Sequence, residues 1–553
     1  MATQAYKIRV PQHLQDQDAW KLFVFCKSRH VVATQLLIDG LQTEIELMAA
    51  GCGSALDALV RAGELETALA DAGHSEETTF ATVTDRLAAL TCGEQVDLQQ
   101  LLSLLHRARI AGHVCCSHPE GFSYYGLNPL DFAEVTAHLR PRLRPHAAVI
   151  GIRSVGSTLG AVIAAVLRAG AISVERTTVR PEGEPYNRAV TFSSTQLDWI
   201  RRKLQDGSDF LIVDEGPGFS GSTLLSVVRA LKQAGVPGGN ITLICSRPLD
   251  DRLNMHGCGD LKHYRSVVTG YGRRIPTEAD RQAGRGLWRE MLYPDRSEWP
   301  PCWTDLERIK HFSVDKTALF KFEGLGRYGA LARKQAQVLA DAGFSPALLG
   351  FENGFARYRF EHGRPLNRQD LNPVVLTRMA EYCAFRAKNL AAPFASSETL
   401  LNMMQVNLQV EFGRENPFSE LPIALPVYAD CRMMPHEWFA TSAGRILKTD
   451  SVGHGEGHQL PGPADIAWDL AGAIVDWDLS HSQRRFFLAE YRRLSGDDAR
   501  SRIHPYIVFY LAYRTAYCRM GAACMRDSGD GVALWDQYRE YALKLKHCLK
   551  HEP

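Results

Sequence analysis

Phe210-Leu-Ile-Val-Asp-Glu-Gly-Pro-Gly-Phe-Ser-Gly-Ser-Thr-Leu224 leaves little choice of local structure. Four apolar residues fit a buried strand, two acids close it, and a Gly/Ser turn leads into Leu224-Leu-Ser-Val-Val-Arg-Ala-Leu-Lys, which has the pattern of a helix. A strand end, a loop of free backbone N–H groups and a helix start together make an anion site. The segment has no Gly-Lys-Ser/Thr closing the loop and no Gly-x-Gly-x-x-Gly spacing, so it is neither a Walker loop nor a dinucleotide turn. Two carboxylates beside a phosphate cradle suit vicinal hydroxyls next to a phosphate, as in a ribose 5-phosphate.

A second segment has the same build. Ala147-Ala-Val-Ile-Gly-Ile152 reads as a strand, Arg153-Ser-Val-Gly-Ser-Thr-Leu-Gly160 as a hydroxyl-rich turn, and Ala161 to Arg168 as a helix of small residues. Between the two loops lies the polar, turn-rich stretch Thr177 to Arg188. The order and the residues resemble type I phosphoribosyltransferases. That resemblance implies a doubly wound parallel α/β sheet and phosphoribosyl diphosphate as substrate with Mg²⁺. It assigns Asp214 and Glu215 to the ribose hydroxyls, and Ser220, Gly221, Ser222 and Thr223 to the 5-phosphate. Arg153, Ser157 and Thr158 fall to the diphosphate, and the stretch between the loops becomes a mobile lid. Gly216-Pro-Gly-Phe219 is one residue longer than the family's spacer. Without the resemblance, both loops are ordinary strand-to-helix turns.

At 553 residues the chain exceeds one core, and about 150 residues per domain predicts three or four. The expected division is a helical region over 1–110, an α/β domain over 111–250, a connector over 251–305 and a further domain over 306–553. The first region is expected as a cap, a self-association element or a substrate hood. Phe122, Tyr124 and Tyr125 stack on a base or fill the core. A hydrophobic content of 45% and a charged content of 23% are those of a soluble globular chain, and a net charge of +1 gives no sign of a nucleic-acid partner. Met1 to Ile8 lacks the build of a signal peptide, and the run Ile507 to Tyr513 is too short to span a bilayer. Thirteen cysteines without a Cys-x-x-Cys pair argue against a disulfide scaffold or a zinc ribbon. The expectation is a cytoplasmic protein with small-molecule substrates, no membrane and room for homo-oligomers.

The last region carries different chemistry. Thr317-Ala-Leu-Phe-Lys-Phe-Glu-Gly-Leu-Gly326 is a strand holding Lys321 ahead of a Gly turn and a helix, and Asn353-Gly354 centres a hairpin. Tyr428-Ala-Asp430, then Ile446-Leu-Lys-Thr-Asp450, then Gly462-Pro-Ala-Asp-Ile-Ala-Trp-Asp-Leu-Ala471 come in order. Phosphoryl transfer needs a lysine on ATP phosphates, an acid near the acceptor and an acid on the metal. The order resembles aminoglycoside and choline phosphotransferases, which implies an α+β domain with two lobes of protein-kinase type that uses ATP and Mg²⁺. By that resemblance Lys321 is the ATP lysine, Asp430 the acceptor-side acid and Asp450 the metal ligand, while Asp469 braces the catalytic loop. The family's His-Gly-Asp is Tyr-Ala-Asp here and its Asn ligand is missing, so His436 or a neighbour stands in. His454-Gly-Glu-Gly-His458 reads as a loop beside Asp450 rather than a zinc helix, because of its two glycines.

Three readings stay open: a bifunctional phosphoribosyl- and phosphotransferase, a non-catalytic sensor of nucleotide or phosphoribosyl diphosphate, and a kinase whose α/β domain only binds a phosphorylated substrate.

Overall fold

Short aliphatic and β-branched runs bounded by turns supply a five-stranded parallel sheet. Its strands are His146–Ile152, Ser173–Val179, Asp209–Val213, Ile241–Cys245 and Arg265–Val268, placed side by side in the order second, first, third, fourth, fifth. Ala147 pairs with Val174 on one side and with Asp209 on the other, and Val213 pairs with Ile244. Asp209–Val213 and Ile241–Cys245 are buried at every residue. That suits strands covered on both faces. In one core Ile150, Phe210, Ile212 and Leu243 meet Trp199 and Ile200 of the helix Ser194–Gln205, and Leu224 and Val228 of the helix Ser222–Gln233.

This is the computed structural model of the chain, and it describes residues 18–24, 29–184, 187–218, 220–453 and 462–550. Two units emerge: 29–275 with Gly324–Ala330, and 18–24 with Pro276–Glu323 and 331–550.

The helices Thr34–Ala49, Ala55–Asp71, Glu77–Thr91 and Leu98–Arg107 belong to the first unit. Their apolar faces do not close on each other alone. Leu41, Leu59, Leu65, Leu69 and Leu87 share a core with Ala161, Val162 and Ala165 of the helix Val155–Ala169. A strand, Arg29–Ala33, pairs antiparallel with His113–Ser117, so the region expected as mainly helical also carries a strand at its start. Phe122 and Tyr124 are core residues, 0% and 2% exposed.

The stretch 251–305 does not stand apart as a connector. Leu253, Cys258 and Leu261 pack into the α/β core. Residues from Pro276 onward belong to the second unit, where Arg289 places Nη1 2.6 Å from Asp530 Oδ1 and Trp303 is 2% exposed.

The second unit begins with an antiparallel sheet ordered Ala279–Gln282, Lys310–Ser313, Ala318–Phe322, Phe355–Arg359, Leu348–Glu352. Its hairpin turns at Asn353 and Gly354, both left-handed at φ 50° and 82°, as Asn-Gly favours. The remainder of the unit is mostly helical: Pro373–Asn389, Glu398–Phe412, Ala467–Asp476, His481–Ser495, Ile503–Cys524 and Gly529–Cys548. Two small sheets interrupt the helices. One joins Gly363–Pro365, Trp438–Thr441 and Ile446–Lys448, and the other pairs Pro426–Tyr428 with Pro463–Asp465. The run Ile507 to Tyr513 is interior to Ile503–Cys524, buried among Trp468 and its neighbours. Among the described residues no helix is long and apolar enough to cross a membrane.

Candidate functional site

In the second unit the strand Ala318–Phe322 turns Lys321 inward, 3% exposed. Its ammonium is ion-paired with Asp450, lies 2.9 Å from Glu323 Oε1 and donates to the carbonyl of Val452 at 3.1 Å. Directly across the ladder stands a second lysine, Lys310. Its Nζ is 3.1 Å from Asp450 Oδ2 and 3.1 Å from Glu307 Oε1. Burial opposes the Lys310 ammonium, but Asp450, Glu307 and Glu437 together lift its pKa well above the lysine range. Asp450 lies just past Ile446–Lys448 in the left-handed region, at φ 48°, a conformation held only where surroundings fix it. Glu323 also takes the Tyr358 hydroxyl at 2.9 Å.

A cavity is lined by Lys310, Lys321, Glu323, Glu437 and Asp450. Glu437, immediately before Trp438–Thr441, was not singled out by sequence. Burial raises its carboxyl pKa to about 7, against the pull of Lys448. His436 has its pKa pushed to about 3 by burial and by Arg432, Arg514, Lys448 and Arg289, so its imidazole is neutral, stacked on Trp288 at 6.2 Å.

Asp430 is placed otherwise than an acceptor-side acid requires. It is 0% exposed, and the cavity is lined by the next residues along the chain, Cys431 and Arg432. Its carboxylate accepts the Tyr382 hydroxyl, lies 3.4 Å from Lys448 Nζ and takes the Arg432 N–H at 3.1 Å. Asp469 accepts the N–H groups of both Asp430 and Cys431 at 2.9 Å, the bracing contact expected of it. Burial raises the Asp469 pKa to about 6 against the Arg386 guanidinium.

Asp450 and Glu437 offer two carboxylates to one cavity, a donor set that suits Mg²⁺ completed by substrate phosphates. Among the described residues no group of three or more His, Cys, Asp or Glu is arranged to hold a metal ion. His454 to His458 lies outside the described residues.

In the α/β unit Asp214 and Glu215 come directly after Asp209–Val213. Burial drives Asp214 to a pKa of about 6, opposed by the N–H groups of Glu215 and Gly216 and by Arg188 and Arg180. Burial, Glu120 and Asp214 push Glu215 to about 8, with Arg247 opposing. Gly121 leaves room for that carboxylate, since a Cβ there would come within 2.7 Å of Glu215 Oε2. Gly221, at φ 71°, turns the chain into the helix Ser222–Gln233. Ser220 Oγ accepts the Ser222 N–H at 3.2 Å and donates to Ser222 Oγ at 3.0 Å, and Thr223 opens the helix. A cavity beside this turn is lined by Asn187, Arg188, Ser222 and Arg229. Asn187 and Arg188 come from the hairpin Glu182–Glu184 and Asn187–Ala189, within the stretch expected as a lid.

The first loop is engaged differently from the sequence expectation. Ser157 is fully buried with Oγ 2.8 Å from Thr67 Oγ1, and Thr158 is buried against Gly63. The Ser157 hydroxyl is spent on the helix Ala55–Asp71 and the Thr158 side chain is packed against it, which corrects their reading as side-chain diphosphate donors. The expectation failed because their partners lie about 90 residues away in the chain. Arg153 donates to Thr178 Oγ1 at 3.1 Å, to the Ala70 carbonyl at 3.1 Å and to Asp71 Oδ1 at 3.2 Å. Arg180 meets the same Asp71, with Nη2 2.5 Å from Oδ2. The peptide at Ser154 is left-handed at φ 107°.

No family model matches the sequence, and no curated protein matches it significantly. Among solved structures the chain is similar to a choline/ethanolamine kinase family protein from Mesorhizobium loti, at 16% identity and a TM-score of 0.33, over 44% of this chain and 86% of that one. A Plasmodium vivax ethanolamine kinase is similar at 14% identity and a TM-score of 0.31, over 44% and 80% of the two chains. A macrolide 2′-phosphotransferase from Brachybacterium faecium is similar at 11% and 0.27, over 45% and 89%. Likenesses this remote carry no weight for chemistry, which rests on the side chains.

Proposed function

We propose that the unit holding Lys321 and Asp450 is an ATP-dependent small-molecule phosphotransferase. The observation that carries the reading is the Lys321–Asp450 ion pair, with Lys310 on the other carboxylate oxygen, at the wall of a cavity. Phosphoryl transfer demands charge neutralisation and alignment more than covalent participation. Lys321 and Lys310 hold ATP phosphates in this reading, and Asp450 and Glu437 hold Mg²⁺. The ion, when bound, neutralises charge on the transferring phosphoryl group. Asp430 acts by position: its carboxylate, held by Tyr382 and Lys448, fixes the chain that presents Arg432 and Glu437 to the acceptor. Mg²⁺-ATP should raise the melting temperature of the full chain by mass action. That rise should shrink markedly in Lys321→Met and Asp450→Asn. No shift in the folded wild type removes this reading.

For the α/β unit we propose a phosphoribosyl diphosphate site, with phosphoribosyl transfer as its activity. Support comes from the acid pair at a strand end and from the cavity that sets Arg188 and Arg229 beside Ser222 at a helix N-terminus. Asp214 and Glu215 take the ribose hydroxyls, and Ser220 to Thr223 the 5-phosphate. Arg153 and Arg180, on release from Asp71, face diphosphate. Diphosphate release that depends on a divalent ion tests turnover. Binding without release would favour the sensor, or a kinase that keeps a phosphorylated substrate here.

A further inference from the structure

The phosphotransferase cavity has a further charged residue that the proposed chemistry does not use. Arg514, in the middle of Ile503–Cys524, lines the cavity and is 7% exposed. Among the described residues no carboxylate comes within ion-pair distance of it, and its Nε has no hydrogen-bond partner. What it does touch is aromatic: its guanidinium sits 5.1 Å from the ring centres of Tyr517 and Tyr541. An acid in its field, Asp476, is already committed, taking the Tyr510 hydroxyl at 2.6 Å and the Tyr541 hydroxyl at 2.8 Å. Neighbouring cations are matched. Arg289 is paired with Asp530, and Arg432 lies 3.7 Å from Glu437.

A buried, unpaired guanidinium is costly, and a fold keeps one where something else completes it. Its planar fork matches a carboxylate or a phosphate with two parallel hydrogen bonds. The aromatic wall alongside, Trp303 against Tyr517 at 5.2 Å with Tyr513 next to it, offers flat apolar surface to the rest of such a molecule.

We propose that the acceptor of this phosphotransferase is an anionic small molecule, seated through a carboxylate or phosphate on Arg514 with its body against Trp303, Tyr513 and Tyr517. This rests on the phosphotransferase reading for the word acceptor, but the anion site stands or falls by itself.

Hydrogen exchange on the full chain tests it, with inorganic phosphate and acetate as separate probes against chloride. Protection is expected over 432–437 and 510–518 with at least one of the two, and which probe gives it identifies the group. In Arg514→Met, which keeps the packed stem and removes the charge, the anion concentration needed should rise about tenfold or more. The variant should also be no less stable than wild type, because an uncompensated charge has gone. Protection by neither anion, or undiminished protection in Arg514→Met, overturns the proposal. If that variant does not fold, Arg514→Lys is read in its place, and undiminished phosphate and acetate protection there overturns it equally. A non-hydrolysable Mg²⁺-ATP analogue on the same samples reports on 318–323 and 446–452. Anion protection without nucleotide protection would remove the phosphotransferase reading and leave the anion site.

Discussion

The Asp469 carboxylate accepts the backbone N–H of Asp430 at 2.9 Å across 39 residues of sequence, and it takes the N–H of Cys431 with its other oxygen. One side chain thereby fixes the turn that delivers Arg432 and Glu437 to the cavity. Asp469→Asn keeps one acceptor and turns an NH₂ toward the other N–H. It should cost about 1–3 kcal/mol of stability, the penalty of an unsatisfied buried donor. Phosphotransfer should fall while Mg²⁺-ATP binding survives, since Lys321 and Lys310 are untouched. Chemical denaturation and nucleotide titration on the same preparation check this, and equal loss of both functions would contradict a purely positioning role.

Lys321 and Lys310 differ in what they leave behind. Lys321→Met leaves Asp450 paired with Lys310, and Lys310→Met leaves it paired with Lys321. Both variants should fold, and Lys321→Met should weaken Mg²⁺-ATP by about tenfold or more, as loss of a charge-assisted contact does. Calorimetry gives the ranking. A larger effect from Lys310→Met would move the phosphate contact to the neighbouring strand.

In the α/β unit the acid pair should read out in pH. The folded Glu215 pKa of about 8 lies above its unfolded value, so the native state holds that proton more tightly. Its contribution is present below the unfolded carboxyl pKa and is lost as pH rises through about 8. Glu215→Gln removes this loss, so the variant should gain on wild type as pH rises from the unfolded carboxyl range to about 8, by at least on the order of 1 kcal/mol, and hold that gain above it. Denaturation midpoints across the range measure it, and parallel curves for the two proteins would show that Glu215 titrates normally. The same substitution, combined with Asp214→Asn, should weaken phosphoribosyl diphosphate near neutral pH, by about 1.5–3 kcal/mol for the charged bond at Asp214 and by about 1 for the protonated Glu215.

Gly63 reports on the packing of the first loop. A Cβ at this position would stand 1.9 Å from Thr158 Oγ1. Gly63→Ala should cost about 1–3 kcal/mol through overpacking. Adding Thr158→Ala should recover much of it, and a Gly63→Ala variant as stable as wild type would contradict the close approach.

The strands and loops of the α/β unit were legible because buried strands are apolar runs and their turns are rich in Gly and Ser, both local properties. Lys321, Asp450 and Asp469 stood out for a related reason, because a strand lysine and a strand-end acid keep their order in the chain, and the structure sets Lys321 on Asp450 and Asp469 on the Asp430 N–H. Lys310 escaped because one lysine in Lys310–Ser313 carries no signal until the ladder sets it opposite Lys321. Glu437 escaped because it sits beyond the position where an Asn was sought. Ser157 and Thr158 misled because a hydroxyl-rich turn looks the same whether it faces an anion or a neighbouring helix. Asp71, which unites Arg153 and Arg180, has no motif at all.

The shared core of the first unit also bears on how the protein is born. Leu41, Leu59, Leu69 and Leu87 find their closing partners in Ala161, Val162 and Ala165. A chain synthesised only through the first four helices therefore lacks part of the cover over their shared core, and synthesis must pass the helix Val155–Ala169 before that core is complete.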